Sequence, residues 1–105
     1  MIHLKKAHKC ILLKKEELAN GIFDFTVESN EIAKEAQCGQ FLHIDCGSKT
    51  FLRRPISICD VNDNKVRFIF QVKGEGTKEL SQINPGDVID IMGPLGHGYE
   101  IIGNN

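Results

Sequence analysis

Val66, Phe68, Phe70 and Val72 alternate with Arg67, Ile69, Gln71 and Lys73. That period of two puts four apolar side chains on one face of an extended strand, and such a face has to be covered by a core. The same alternation recurs along the chain. Phe23, Phe25 and Val27 alternate with Asp24, Thr26 and Glu28, behind the turn dipeptide Asn20-Gly21. Leu42, Ile44 and Cys46 alternate with Phe41, His43 and Asp45. Asp87 to Met92 is rich in β-branched residues, and Lys6 to Lys14 and Pro55 to Val61 bring the number of expected strands to about six.

Turn chemistry separates these segments. Asn62-Asp63-Asn64 predicts a hairpin, and Asn84-Pro85-Gly86-Asp87 places Pro and Gly as a type II turn requires. Gly93-Pro94-Leu95-Gly96-His97-Gly98 reads as irregular on its glycine content. Helical signal is sparse. Thr77 is placed to cap one short helix over Lys78 to Ile83, and Ser29 to Ala36 has room for a turn or two more. The expected fold class is therefore all-β, a barrel or sandwich with one short helix. A doubly wound α/β fold is excluded, because no strand leads into a long amphipathic helix.

With 105 residues the chain is one domain, 1–105, and can bury a core without disulfides or metal. A net charge of −1 provides no global field for nucleic acid or an anionic membrane. No run approaches the roughly 18 apolar residues of a membrane span. The basic stretch from Met1 to Lys9 is followed by no apolar h-region, so a cytoplasmic location is expected. Cys10, Cys38, Cys46 and Cys59 have neither C-x-x-C nor iron–sulfur spacing, and His3, His8, His43 and His97 show no ligand spacing. Free thiols and no metal site are the expectation.

Two constellations carry chemistry. In Arg53-Arg54-Pro55-Ile56-Ser57, two guanidiniums lead into a strand and a proline fixes the entry. An Arg held this way suits a bidentate phosphate contact, although a solvated basic pair reads the same way. Gly74-Glu75-Gly76-Thr77 lies between the strongest strand and the short helix. Its glycines permit close backbone approach and its amides suit an anion, although a plain strand–turn–helix connection is equally consistent. It is no dinucleotide fingerprint of the Rossmann type, since the third glycine and the βαβ unit are missing. A diphosphate bridging the two constellations, with an aromatic ring system on the barrel, describes a ligand such as FAD.

Arg54-Pro55-Ile56-Ser57 resembles the R-x-Y-[ST] motif of the ferredoxin-reductase superfamily. Gly74-Glu75-Gly76-Thr77 is similar to its second phosphate motif, Pro85-Gly86-Asp87 with Gly93-Pro94-Leu95-Gly96 to its P-G-D…G-P-x-G stretch, and Cys38-Gly39-Gln40-Phe41 to its P-G-Q-F. Within the superfamily the chain most resembles the electron transfer subunits of type B dihydroorotate dehydrogenases.

The resemblance implies a six-stranded antiparallel Greek-key barrel that binds FAD. Arg54 would contact the diphosphate, with Pro55 beside it in the motif, and Ile56 would lie against the isoalloxazine or ribityl. Ser57 would hydrogen-bond near the flavin N5. Phe70, Gln71 and Val72 would line the ribityl and adenine side, and Gly76 and Thr77 would hold phosphate. It further implies an FMN-containing dihydroorotate dehydrogenase catalytic subunit as partner, a possible dimer, and a [2Fe-2S] cluster and NAD only in a longer protein. The nicotinamide domain and cysteine-rich tail have no counterpart here, so this chain is expected to bind FAD without oxidising NADH alone. Phe70-Gln71 stands where the family often has Tyr-Arg, and Cys38 where it has proline. Two other readings remain: the FAD domain of an NADH:ferredoxin or sulfide dehydrogenase type of oxidoreductase, and a non-catalytic β-barrel interaction module.

Overall fold

A computed structural model describes residues 7–46 and 53–95. His3, Lys6 and Gly96-His97-Gly98, singled out above, lie outside the described residues. The elements are β1 (Ala7–Ala19), β2 (Ile22–Glu28), α1 (Asn30–Glu35), β3 (Phe41–Asp45), β4 (Arg53–Asn62), β5 (Lys65–Gln71), α2 (Glu75–Leu80) and β6 (Val88–Leu95). The strands close into an antiparallel barrel in the order β1-β2-β5-β4-β3-β6. Two links are tight turns. Gly21 (φ 80) joins β1 to β2, and Asp63 (φ 57) joins β4 to β5, each in the left-handed region that such a reversal needs.

The two helix-bearing links cross between non-neighbouring strands, α1 from β2 to β3 and α2 from β5 to β6. Glu28 at the end of β2 pairs with Lys65 at the start of β5, so the two helices sit at opposite ends of the barrel.

The alternation seen in the sequence is the core. Val66, Phe68 and Phe70 point inward with Phe25 and Val27, and Leu42, Ile44 and Cys46 close the far side. Four rings, Phe23, Phe25, Phe68 and Phe70, form one cluster at centroid separations of 4.9 to 6.3 Å. Ile32 of α1 and Leu80 of α2 plug the two ends.

Four expectations need correction. There are two helices rather than one: Ser29 caps α1, its hydroxyl accepting from the Ile32 amide at 3.2 Å. α2 starts at Glu75 behind Gly74 (φ 99), so Thr77 lies inside its first turn and caps nothing. β1 continues past Lys14, because Lys14 to Glu17 pair with β2 through two register shifts, and a charged run can form the exposed half of a ribbon. β6 runs through Gly93, Pro94 and Leu95. There Gly93 (φ 145) lets the strand press against β3, where an added Cβ would stand 3.1 Å from the Phe41 carbonyl oxygen. The Asn84–Asp87 turn is as expected: the Asp87 amide donates to the Asn84 carbonyl at 2.9 Å, and Gly86 has φ 99.

Cys10 gives this core a pH signature. Burial pushes its thiol pKa from 9.0 up to about 11, against a lowering by Ser29. The folded state therefore holds a proton that the unfolded chain has lost, and this stabilisation is present below pH 9 and fades as pH rises toward about 11. Thermal midpoints are expected to fall across that window, less steeply in Cys10→Ala. An identical slope in the variant would acquit Cys10.

Candidate functional site

The barrel has a seam. β4 and β5 pair from Asn62↔Lys65 only as far as Ile58↔Phe68. Beyond that, β4 follows β3 down to Asp45↔Arg53, while β5 follows β2 to Ile22↔Gln71. The two strands splay, and their facing edges border a cleft of about 380 Å³.

Edge chemistry follows from the ladder. Ile58 turns its main chain toward the segment leading into β3: its amide donates to the Gln40 carbonyl at 2.8 Å, and its carbonyl accepts from the Gly39 amide at 3.2 Å. Main-chain groups alternate sides along a strand, so Ser57 directs its amide and carbonyl at the gap. On the opposite bank, the Val72 amide donates to the Gly21 carbonyl at 2.8 Å, which turns the main chain of Gln71 toward the gap. A flat polar heterocycle entering here meets main-chain donors and acceptors on both sides.

Arg54, Pro55, Ile56, Ser57, Phe70, Gln71 and Thr77 all line this cleft. Two further residues, Ile69 and Lys73, line the cleft and were not singled out from the sequence. Both belong to the alternating strand face opposite the apolar one, which was the available signal for them. Val72, partly buried against the core, and Gly76, buried in α2, do not line the cleft. Ile56 and Phe70 point mostly into the barrel, 7% and 5% exposed, and present only an edge.

Gly76 ties the two constellations together. A Cβ built there would stand 3.6 Å from Arg54 Nε, and 3.3 Å and 3.8 Å from the Cβ and Sγ of Cys46. Glycine at this point lets the start of α2 close onto the guanidinium, so the Arg and the glycine turn form one locus. α2 has only six residues, and Gly74 offers no side-chain cap. Its contribution is local: with Lys78 the first amide to bond back, to the Gly74 carbonyl at 3.0 Å, the amides of Glu75, Gly76 and Thr77 precede the intrahelical ladder. The Thr77 hydroxyl already accepts from the Lys73 amide at 2.6 Å and lies 3.4 Å from the Gly74 carbonyl. Its amide is therefore the freer group for a ligand. Burial raises the pKa of Cys46, opposed by the charge of Arg54.

Charge selects between clefts. The lining just described carries Arg54 and Lys73 and no carboxylate. A second depression of about 340 Å³, beside α2 and the start of β6, holds Asp45, Glu79 and Asp90 against one cation, Lys9. Lys9 is itself paired with Asp90 at 3.2 Å. An anion is attracted to the first and repelled by the second. Among the described residues no group of three or more His, Cys, Asp or Glu is arranged to hold a metal.

Comparison with known proteins finds relatives of this barrel. The chain is 44% identical over 94 residues to the electron transfer subunit of dihydroorotate dehydrogenase B (NAD(+)) of Caldanaerobacter subterraneus subsp. tengcongensis, covering 90% of this chain and 37% of that protein. It is 37% identical over 95 residues to the same subunit of Bacillus cereus strain G9842, covering 87% of this chain and again 37% of the relative. The chain thus spans little more than a third of these relatives.

Among solved structures, the NADH-dependent reduced ferredoxin-NADP oxidoreductase superposes with a TM-score of 0.77 at 34% identity, over 92% of this chain and 34% of that one. Ferredoxin-NADP+ reductase from Plasmodium falciparum superposes at 0.74 with 16% identity, over 94% of this chain and 43% of that one, which speaks for the fold alone. Residues 9–99 match the oxidoreductase FAD-binding domain, and the chain belongs to that family, within the ferredoxin-reductase superfamily.

Proposed function

We propose that the cleft between β4 and β5 is the FAD site and that the chain is the FAD-binding domain of an electron transfer subunit of NAD-dependent dihydroorotate dehydrogenase. The bare Cα of Gly76 facing the Arg54 guanidinium carries this reading, because it brings both phosphate-binding elements to one place. Arg54 and the amides of Gly76 and Thr77 hold the diphosphate. The Ser57 main chain and hydroxyl fix the polar edge of the isoalloxazine from the β4 bank, with Pro55 and Ile56 against its body. Phe70, Gln71 and Val72 form the β5 bank, and Lys73 supplies a cation beside Gln71, where the family often has an arginine. The strand order, with β2 beside β5 and β3 beside β6, supports a Greek-key reading of the barrel.

Bound FAD would supply the redox chemistry, exchanging a hydride with a nicotinamide and single electrons with an iron–sulfur centre. The protein's own task is to orient the ring and neutralise the diphosphate. In a longer subunit, electrons from dihydroorotate would arrive through an FMN-containing catalytic subunit and a [2Fe-2S] cluster and leave to NAD+, in pyrimidine biosynthesis. The likeness to the ferredoxin-NADP oxidoreductase supports one alternative, the same flavin domain serving another donor.

Titration of the purified chain with FAD tests the reading directly. Flavin fluorescence is expected to quench saturably, and free riboflavin, which lacks the diphosphate, is expected to bind far more weakly. Equal affinity for the two would detach Arg54 and Gly76 from the site, and no quenching at all would sink the FAD assignment for this chain.

A further inference from the structure

The bonds that turn Ile58 toward β3 define a second site. Gly39 and Gln40 together stand opposite Ile58, one bonded to its carbonyl and the other to its amide. Two residues facing one is a β-bulge. On one side of it the ladder is Phe41↔Ser57. On the other side the chain turns, and Cys38 lies beside Cys59. The Cys38 Sγ indeed lies 3.3 Å from the Cys59 carbonyl oxygen, and both cysteines are exposed.

Cys38 stands in the turn over residues 37–40, closed by the Gln40 amide donating to the Gln37 carbonyl at 3.1 Å. A disulfide needs Cα atoms about 4.4–6.8 Å apart, and the contact of the Cys38 thiol with the Cys59 main chain holds the two residues side by side. Cys10 and Cys46 are buried, their thiols directed at the main-chain carbonyls of His8 at 3.6 Å and Ile44 at 3.5 Å.

We propose that Cys38 and Cys59 are a reversible dithiol–disulfide site whose co-reactant is a small disulfide of the glutathione class. The thiolate of one cysteine attacks a sulfur of oxidised glutathione, forming a mixed disulfide and releasing one glutathione thiolate. The second cysteine then attacks the protein sulfur of that mixed disulfide and releases the other. The protein loses two electrons and two protons, and oxidised glutathione becomes two glutathiones. Cys59 is two residues from Ser57, so the bond would fasten the 38–40 turn to the strand that borders the flavin cleft. The pairing rests on the barrel alone and stands whether or not FAD binds.

The reduced chain is incubated with excess oxidised glutathione, alkylated, and analysed by intact mass and peptide mapping. The expected product has lost two hydrogens, carries a Cys38–Cys59 peptide, and keeps Cys10 and Cys46 alkylatable after unfolding. Cys59→Ser is expected instead to retain one glutathione on Cys38. The assignment is overturned by a wild-type chain that stays reduced, keeps glutathione unresolved, links only between chains, or joins Cys10 or Cys46. A Cys59→Ser chain that still loses two hydrogens overturns it as well.

Discussion

Replacing Phe25 by alanine is expected to lower the unfolding free energy by about 3–5 kcal/mol, the range for deleting a fully buried ring. Phe25 is 0% exposed and meets three other rings: Phe70 edge-on at 4.9 Å, Phe68 at 5.8 Å and Phe23 at 6.3 Å. Those neighbours are fixed by two ladders, since Phe25 pairs with Phe68 across β2–β5 and Phe23 with Phe70. A closed barrel cannot shrink around the vacated space without breaking register elsewhere, so the cavity persists. A domain of this size is stable by about 5–15 kcal/mol in all, so the loss consumes a large share of it.

Phe23 is the internal comparison. It is only partly buried, stacks on Phe70 at 5.7 Å and lies under the Lys15 ammonium at 5.5 Å, so Phe23→Ala should cost clearly less. Urea midpoints of the two variants make the measurement. If Phe25→Ala costs no more than Phe23→Ala, the ring cluster is not the centre of the core.

The strand faces were legible because alternation reports directly on which side meets the core. Val66, Phe68 and Phe70 needed no tertiary information to be assigned inward. Three features were not legible, each for a physical reason. The length of β1 depends on its being the exposed half of a ribbon, where Lys14 to Glu17 pair through main-chain bonds indifferent to side-chain charge. The start of α2 depends on the φ of 99 that Gly74 adopts, whereas the hydroxyl of Thr77, an apt cap by composition, is drawn back onto the Lys73 amide. The strand through Gly93 and Pro94 exists because β3 lies alongside it, a long-range fact that glycine content conceals.

The site was legible as residue types and not as a place. Arg54 and Gly76 are distant in sequence, and only closure of the barrel sets one against the other. Lys73 and Ile69 were passed over because they occupy the polar side of a strand whose apolar side commanded attention.

Arg54→Ala is expected to weaken FAD binding by about 1.5–3 kcal/mol, the worth of a charge-assisted hydrogen bond, or roughly tenfold to more than a hundredfold in Kd. The guanidinium is held where it is useful: β4 carries it in register opposite Ile44, and the bare Cα of Gly76 leaves it room beside the α2 amides. Removing it leaves Lys73 as the remaining cation among the described lining residues. Arg54→Lys should recover only part of the loss, since an ammonium keeps the charge and forfeits the two-pronged geometry. The deficit of Arg54→Ala should narrow as salt is raised, because part of what it removes is screened attraction.

Lys34→Ala is the control. It removes one positive charge from α1, at the other end of the barrel, and should leave FAD affinity unchanged if location rather than net charge matters. Gly76→Val attacks the same locus by volume, since even a Cβ meets Cys46 at 3.3 Å and larger groups must displace Arg54. If Arg54→Ala and Gly76→Val both bind FAD as the parent does, while Lys34→Ala does not, the diphosphate lies at the α1 end and the β4–β5 cleft is not its site.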